Sequence, residues 1–219
     1  MSKYIKYITY LLVFNCFSLA TAGSYDDFFA AIQQDNAFVV RELLGRGFDP
    51  NTPNPQGQQA LFLALKYPSL KVVEVLLSDP NTTVEIRNAS DESPLMLAAL
   101  KGLTELCQQM ILRDADVNKP GWAPLHYAAT GASIPTMQLL LDNHAYIDAA
   151  SPNGSTPLMM AAMYGNDAAV KLLLNSGADP TLKNIQGLSA IDFATQAHKA
   201  ASVDAIAAAL RAKTPVGAW

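Results

Sequence analysis

Three histidines are the side chains in this 219-residue chain best suited to acid–base chemistry or metal binding: His126, His144 and His198. No two of them are four residues apart, the spacing that would place both rings on one face of a helix. No pair of cysteines lies near any of them. We therefore expect no metal site and no cofactor.

Nucleophilic catalysis is not indicated either. A reactive serine or cysteine needs a sharp turn and a neighbouring base, but the sequence contains no G-x-S-x-G and no glycine-rich phosphate loop. Regular recurrence of carboxylates indicates turn capping, because an active site needs an asymmetric group of residues. The carboxylates that recur at or near one position of a repeated unit are Asp49, Asp116, Asp148 and Asp179. The sequence thus predicts a protein that is not an enzyme.

The charge balance is acidic, with 15 Lys and Arg against 19 Asp and Glu and a formal net charge of −4. The basic residues are scattered, whereas a nucleic-acid binder needs a clustered basic face that neutralises phosphates. We therefore expect no nucleic-acid partner.

Residues 1–22 have the pattern of a secretory signal peptide. A lysine-bearing start, “MSKYIK”, precedes an almost wholly apolar stretch and an A-x-A end. This pattern predicts cleavage after Ala22 and a periplasmic or secreted protein that has no membrane attachment afterwards. The alternative is a membrane anchor over residues 4–22, a length near the lower limit for a span. Cleavage leaves Cys107 as the one cysteine, so we expect no internal disulfide and a small buried side chain there.

One phrase occurs three times in the chain: “SPLMLAALKG” at 93–102, “APLHYAATGA” at 123–132 and “TPLMMAAMYG” at 156–165. Each phrase has proline as its second residue, and successive prolines are 30 and 33 residues apart. Weaker copies at similar spacing extend the series to six between Ser24 and about Leu210. A period of this length predicts a solenoid of stacked units.

The fifth copy carries the signals of two helices and a loop. Thr156 is a predicted N-cap, and Pro157 follows at the first helical position, where its missing N–H costs nothing. Gly165 ends this helix, Asn166 caps a second one, and Gly177 closes it. Each unit is therefore predicted to contain a helix, a tight turn, a second helix and a long projecting hairpin.

The residues of the fifth copy, “TPLMMAAMYGNDAAVKLLLNSGADPTLKNIQG”, resemble an ankyrin repeat in their “TPL” opening, paired alanines and later “GAD” turn. “APLHYAATGA” also keeps the histidine of that opening, His126, which the resemblance makes a structural residue that ties the turn together. The resemblance implies an all-α ankyrin-repeat solenoid of six stacked helix-turn-helix units with projecting β-hairpin loops. The terminal units would act as caps.

The resemblance places the ankyrin-repeat domain at residues 23–212, followed by a C-terminal tail at 213–219. We expect the last stretch, “RAKTPVGAW”, to fray. The third repeat is three residues short, which truncates the hairpin between Asn118 and Ala123. Such deletions often fall on the binding side, although neutral drift in a surface loop explains this one equally well. The predicted repeats are about 24–57, 58–91, 92–121, 122–154, 155–187 and 188–210.

Ankyrin repeats bind other proteins through a concave side formed by the first helices and the hairpins, so the resemblance implies a protein partner. The candidates for contact lie just before the mid-repeat turns and on the hairpins, at positions where the repeat does not require a particular residue. These positions include Leu100 and Thr130. The predicted partner-binding residues are Lys66, Tyr67, Glu92, Lys101, Trp122, Asn153, Met163, Tyr164, Gln186 and Leu188. Trp122 has two interpretations: an aromatic anchor for a partner, or a ring folded down over the gap left by the missing residues.

The chain is similar to the small ankyrin-repeat proteins that Gram-negative bacteria export to the periplasm. This resemblance implies a protein–protein interaction module with a scaffolding, chaperone-like or regulatory role. Three alternatives stay open. They are an immunity-type inhibitor of a secreted toxin, an enzyme or ligand-binding domain on a repeat scaffold, and a membrane-tethered scaffold that keeps residues 1–22.

Overall fold

The structure, a computed structural model, describes residues 23–213. The regular secondary structure of this part of the chain consists of helices, α1 to α12, and none combines the length and hydrophobicity needed to cross a bilayer. The chain separates into two compact units, one ending at Thr83 and the other beginning at Val84. The first contains α1 to α4 and the second contains α5 to α12.

The first unit consists of two helical pairs: α1 (23–33), α2 (Ala37–Gly45), α3 (Ala60–Lys66) and α4 (Leu70–Ser78). Polar contacts join the turn of the first pair to the second pair. The Ser69 hydroxyl donates to the Ile32 carbonyl at 2.6 Å, and Asp35 Oδ1 accepts from the Val72 N–H at 3.0 Å. These bonds satisfy backbone groups at the helix ends, which have no partner within their own helix.

The second unit consists of four helical pairs: α5 (Pro94–Leu100), α6 (Thr104–Ile111), α7 (Pro124–Gly131), α8 (Ile134–Asp142), α9 (Pro157–Met163), α10 (Asp167–Asn175), α11 (Ala190–Gln196) and α12 (Ala200–Lys213). The first helices pack in chain order, α5 on α7, α7 on α9 and α9 on α11. The second helices follow the same order. Within this unit, adjacent copies therefore cover one another as the repeat predicts.

Small residues allow the first helices of the second unit to approach closely. The paired alanines of α5, α7 and α9 are fully buried, for example Ala128 and Ala129 in α7. At the end of α7, a Cβ on Gly131 would lie 2.1 Å from the carbonyl oxygen of Leu100. Two residues after α9, a Cβ on Gly165 would lie 2.5 Å from the carbonyl oxygen of Ala129. Glycine is needed at both positions because a carbonyl oxygen of the preceding copy occupies the space that a Cβ would need.

The predicted cap residues of the fifth copy are confirmed. Thr156 Oγ1 accepts a hydrogen bond from the Met159 N–H at 3.4 Å, and Asn166 Oδ1 accepts one from the Ala169 N–H at 2.8 Å. Gly177 follows α10 with a φ of 100°, a conformation that favours glycine. The local signals of this copy therefore do set the helix ends.

The loops after the second helices are tight turns, and they lack the strands that β-hairpins would require. The one β pairing in residues 23–213 is an isolated bridge between Lys183 and Ser189. Four loops share the same turn. In each, the backbone N–H of one residue donates to the carbonyl oxygen of the residue four positions later, at 2.8–3.1 Å. These pairs are Asn54–Gln58, Asn88–Glu92, Ser151–Ser155 and Asn184–Leu188. The described structure has no such turn in the shortened loop between Asn118 and Ala123.

The chain stays helical further toward its C-terminus than the sequence predicts. Helix α12 includes Arg211 and Lys213, which were expected to fray. Lys213 Nζ donates to Asp179 Oδ1 at 2.8 Å, a contact between the last helix and the turn after α10. The predicted signal peptide at 1–22 and the tail after Lys213 lie outside the described residues.

Candidate functional site

His126 has the structural role that the sequence predicts. Its ring is fully buried, Nδ1 accepts a hydrogen bond from the Ala123 N–H at 3.1 Å, and Nε2 lies 3.0 Å from the Ser155 carbonyl oxygen. Because a carbonyl only accepts, Nε2 carries the proton and the ring is neutral. Burial lowers the pKa of His126, which favours this neutral form. The ring thus joins the start of α7 to the next loop.

The other two histidines are exposed turn residues. His144 has a φ of 64° and His198 a φ of 56°, each just after a helix. Among residues 23–213, no three His, Cys, Asp or Glu side chains are grouped closely enough to hold a metal ion.

Two of the four recurrent carboxylates, Asp49 and Asp179, cap their own turns as predicted, whereas Asp148 bonds to the next loop. Asp49 Oδ1 accepts from the Asn51 N–H at 2.9 Å, and Asp148 Oδ1 accepts from the Asp179 N–H at 3.0 Å. Hydrogen bonds from Lys213 and then from Thr181 lower the pKa of Asp179 to about 2. These carboxylates are therefore occupied by neighbouring donors.

Asp116 also pairs with a cation, as Asp179 does with Lys213. Its Oδ2 lies 3.2 Å from a guanidinium nitrogen of Arg87, which also contacts Glu85 at 2.6 Å. The Asp116 N–H donates to Glu85 Oε2 at 2.9 Å. Asp116 thus joins two loops and does not cap its own turn through the side chain.

Cys107 behaves as the predicted small buried side chain. It is fully buried in α6, and burial raises the pKa of its thiol to about 12. A thiol with this pKa stays protonated at neutral pH and is a poor nucleophile.

An apolar groove of about 220 Å³ opens on the first-helix side of the second unit. The side chains that line it come from three successive copies: Leu100, Trp122, His126, Tyr127, Thr130 and Met160. The Trp122 ring meets the His126 ring edge to face, with centroids 5.3 Å apart and an interplanar angle of 77°. Trp122 is half-buried, so the ring folds over the start of α7 and still forms one side of the groove.

A long-range hydrogen bond fixes a second wall of this groove. The Tyr127 hydroxyl donates to Glu92 Oε1 at 2.9 Å, and Glu92 Oε2 accepts from Asn88 Nδ2 at 2.8 Å. Burial, followed by the hydrogen bond to Glu92, raises the pKa of Tyr127 well above its usual value. The phenol therefore remains protonated, and its ring is held in one orientation before any partner arrives.

The predicted contact residues lie in several places. Trp122 lines the groove, and Glu92 holds its Tyr127 wall. Tyr164, directly after α9, has 62% of its surface exposed, whereas Met163 before it is half-buried. The other predicted residues of this unit are at helix ends and turn tips, with Lys101, Asn153 and Gln186 exposed and Leu188 half-buried.

The two predicted contact residues of the first unit, Lys66 and Tyr67, are both exposed at the end of α3. Tyr67 lines a separate groove in that unit, together with Gln56 and Gln58 of the adjacent loop.

The sequence did not predict Tyr127 and Met160 as site residues. Each lies three residues after the proline that opens its helix, and three residues before a position that the sequence did single out, Thr130 or Met163. Side chains three residues apart share a helix face, so this spacing was an available signal. The hydrogen bond between Glu92 and Tyr127 joins residues 35 positions apart, so the local sequence pattern could not predict it.

Helical pairs that pack in chain order, with a groove built from three successive copies, define a helical-repeat protein. The family profile described as “Ankyrin repeats (3 copies)” matches residues 28–120 and again residues 95–184. The chain belongs to the ankyrin-repeat family.

Curated relatives are much longer than this chain. The B-cell lymphoma 3 protein homolog of Mus musculus is 32% identical over 153 residues, which cover 67% of this chain and 34% of that protein. Ankyrin repeat and SAM domain-containing protein 6 of Rattus norvegicus is 38% identical over 122 residues, which cover 52% of this chain and 14% of that protein. The chain thus spans about a third of the first relative and less of the second.

Solved structures share the fold. The human ASB11 ankyrin repeat domain matches with a TM-score of 0.72 and 26% identity, covering 84% of this chain and 81% of that chain. A chain from the complex of a Bdellovibrio bacteriovorus predatory endopeptidase with an immunity protein matches with a TM-score of 0.70 and 26% identity, covering 83% and 97%. An ankyrin repeat domain from Acinetobacter baumannii AYE has a TM-score of 0.70 at 21% identity, covering 82% and 95%.

Proposed function

We propose that this chain is a protein-interaction module whose partner inserts an apolar side chain into the groove beside Trp122. The module acts by binding and not by catalysis. The imidazole of His126 is buried and neutral, and the turn carboxylates Asp49, Asp148 and Asp179 accept hydrogen bonds from neighbouring donors. Membership of the ankyrin-repeat family supports a protein partner.

The size and chemistry of the groove carry the proposal. Its volume of about 220 Å³ lies below the roughly 300–1,000 Å³ that small-molecule sites occupy. Protein interfaces concentrate their binding energy in pockets that take single side chains, and Trp and Tyr are enriched there. Trp122 packs on His126, and Tyr127 is hydrogen-bonded to Glu92. Because these side chains are already ordered, binding loses little side-chain entropy at the groove.

Exposed apolar side chains at the ends of the first helices extend this surface. Leu100 ends α5 and is 36% exposed, and Tyr164 follows α9 at 62% exposed. Tyrosine buries a large area on binding and loses few rotamers, which makes Tyr164 a suitable second contact.

We also propose that residues 1–22 are a signal peptide removed after Ala22, which would make this a small exported protein of the periplasm or the cell exterior. The apolar stretch and A-x-A end support this assignment. N-terminal sequencing of the protein purified from its native cells is expected to begin at Gly23. An N-terminus at Met1 with retention in the membrane fraction would instead support the anchor.

An immunity-type inhibitor of a secreted toxin is the second candidate. It is favoured by the similarity to a chain from the endopeptidase–immunity protein complex, 97% of which is covered. In that case the captured partner would be a secreted enzyme, and adding this protein would abolish its activity. A partner that keeps or gains activity in the complex would favour the chaperone-like or regulatory role.

Affinity capture with matched variants tests the proposed surface. The wild-type protein, Tyr164→Ala, Trp122→Ala and the control Tyr146→Ala would be incubated with the native periplasmic extract, and the captured proteins quantified. Tyr146 is 70% exposed in the loop after α8, away from the groove residues in the repeat. We expect one protein to be captured by wild type and Tyr146→Ala and to be depleted with Trp122→Ala and with Tyr164→Ala. Equal recovery with all four proteins would reject this surface.

A further inference from the structure

A second groove, of about 570 Å³, lies within the first unit and differs in chemistry from the apolar groove. It is bounded by α1, by the end of α3 and by the turn at 54–58. Three aromatic rings line it, those of Tyr25, Phe29 and Tyr67. It is larger than the apolar groove of about 220 Å³, which leaves room for a long polar side chain.

Contacts within the first unit hold two rings of the aromatic wall in place. The Tyr25 hydroxyl donates to the Pro53 carbonyl at 3.0 Å, and the rings of Tyr25 and Phe29 lie 4.9 Å apart at 59°. Phe29 also meets the ring of the fully buried Phe28 edge to face, with centroids 5.4 Å apart. A ligand therefore meets two rings whose positions are already set.

The turn that forms the opposite wall is held by its own hydrogen bonds. Asn54 N–H donates to the Gln58 carbonyl at 2.8 Å, and Asn54 Oδ1 accepts from the N–H groups of Gln56 and Gln58 at 3.0 and 2.8 Å. Asn54 Nδ2 also donates to Gln58 Oε1 at 3.2 Å. The side chain of Gln56, at the tip of this turn, is exposed.

The electrostatic character of this groove favours a cation. Asp26 contributes a carboxylate, and none of the described residues that line the groove is Lys or Arg. Aromatic faces attract cations within about 6 Å of the ring centroid. The side-chain carbonyl oxygens of Gln33 and Gln56 are further acceptors for N–H donors at the same groove.

We propose that the groove of the first unit binds the guanidinium group of an arginine side chain presented by a partner polypeptide. Arginine suits it better than lysine because the planar guanidinium stacks on aromatic rings while its five N–H donors reach several acceptors. The charge of the groove is complementary to this occupant, and contacts within the unit hold the rings of Tyr25 and Phe29 and the turn at 54–58. The assignment is independent of the apolar groove in the second unit, so either can fail without the other.

Titration of the full-length protein with three short peptides, followed by NMR amide shifts, tests this assignment. The peptides are acetyl-Gly-Arg-Gly-amide, its lysine counterpart and its citrulline counterpart, which keeps the shape of arginine without the charge. We expect the arginine peptide to shift amides of α1 and of the turn at 54–58, with a Kd roughly fivefold below that of the lysine peptide. The citrulline peptide is expected to cause no saturable shift.

Two variants and one control locate the binding. Asp26→Asn and Tyr67→Ala are each expected to weaken binding of the arginine peptide roughly threefold to tenfold, since each removes one attraction for the cation. Asp204→Asn, an exposed acid on α12, is expected to leave the Kd unchanged. Equal binding of the citrulline peptide, unchanged Kd in both groove variants, shifts confined to other segments, or no binding of any peptide would each overturn the proposal.

Discussion

The Tyr127 hydroxyl donates a hydrogen bond of 2.9 Å to the carboxylate of Glu92, 35 residues earlier in the chain. The bond joins α7 to the turn of the preceding copy and holds one wall of the apolar groove. Glu92 is half-buried, and its second oxygen accepts from Asn88. The groove thus depends on contacts between neighbouring copies, not on any one repeat.

Tyr127→Phe removes this bond while keeping the ring. We expect a loss of about 1–2 kcal/mol in the free energy of unfolding, because a half-buried carboxylate loses its donor. Urea unfolding followed by circular dichroism measures the loss. The matched control is Tyr146→Phe, whose ring is largely exposed and which we expect to be neutral. Equal values for the two variants would show that the Glu92 contact adds no stability.

Gly131→Ala is expected to destabilise the second unit by about 1–3 kcal/mol, because the new Cβ would meet the carbonyl oxygen of Leu100 at 2.1 Å. The matched control is Gly45→Ala. Both glycines are the last residues of helices, but a Cβ at Gly45 has no neighbour within 4 Å. This control is expected to be neutral or to gain up to about 1 kcal/mol from helix propensity. Thermal melts of both variants test the pair, and a harmless Gly131→Ala would contradict the close stacking of α7 on α5.

His126 is expected to make stability depend on pH. Its pKa is lower in the folded state than its ordinary value of 6.5, so the unfolded chain binds the proton more readily. The contribution of His126 is therefore complete above pH 6.5 and declines as pH falls from there through the folded pKa, by at most about 1.4 kcal/mol per pH unit. Urea unfolding at pH 8, 6 and 5 measures this slope.

Two histidine variants identify the source of that slope. His126→Gln is expected to be less stable at pH 8 and to lose this part of the pH dependence. His144→Gln changes an exposed turn residue and is expected to keep the wild-type slope. An unchanged slope in His126→Gln would assign the pH dependence to other groups.

Cys107 is expected to resist thiol reagents in the folded protein, since burial raises its pKa to about 12 and removes access. Mass spectrometry of the peptide that contains Cys107 measures its labelling by iodoacetamide at pH 8. We expect little labelling in buffer and complete labelling in concentrated urea. Rapid labelling in buffer would show that α6 opens readily.

Local signals explain which parts of the fold could be predicted from the sequence. Thr156, Asn166 and Gly177 act within a few residues of themselves, and each has the predicted capping or closing role. The predicted β-hairpins have no strands in the described residues, because backbone hydrogen bonds from Asn54, Asn88 and Asn184 close these loops as turns. The helical end of α12 was missed because Lys213 is held by Asp179, 34 residues away.

The site was harder to predict than the fold, because its contacts join different copies. Trp122 was identified from its position in the shortened loop, and its ring both packs on His126 and lines the groove. Tyr127 and Met160 were missed, and the importance of Glu92 lies in its bond to Tyr127. The separation of the chain at Thr83 and Val84 also has no counterpart in the repeat pattern.

Site-specific photo-cross-linking to the captured partner tests the proposed binding surface most directly. A benzophenone amino acid would replace Thr130, in the apolar groove, or Gln138, exposed on the second helix of the same copy. The account predicts a cross-link to the partner from position 130 and none from position 138, with both variants folded by circular dichroism. A cross-link from position 138 alone would place the partner on the second-helix side and contradict the account.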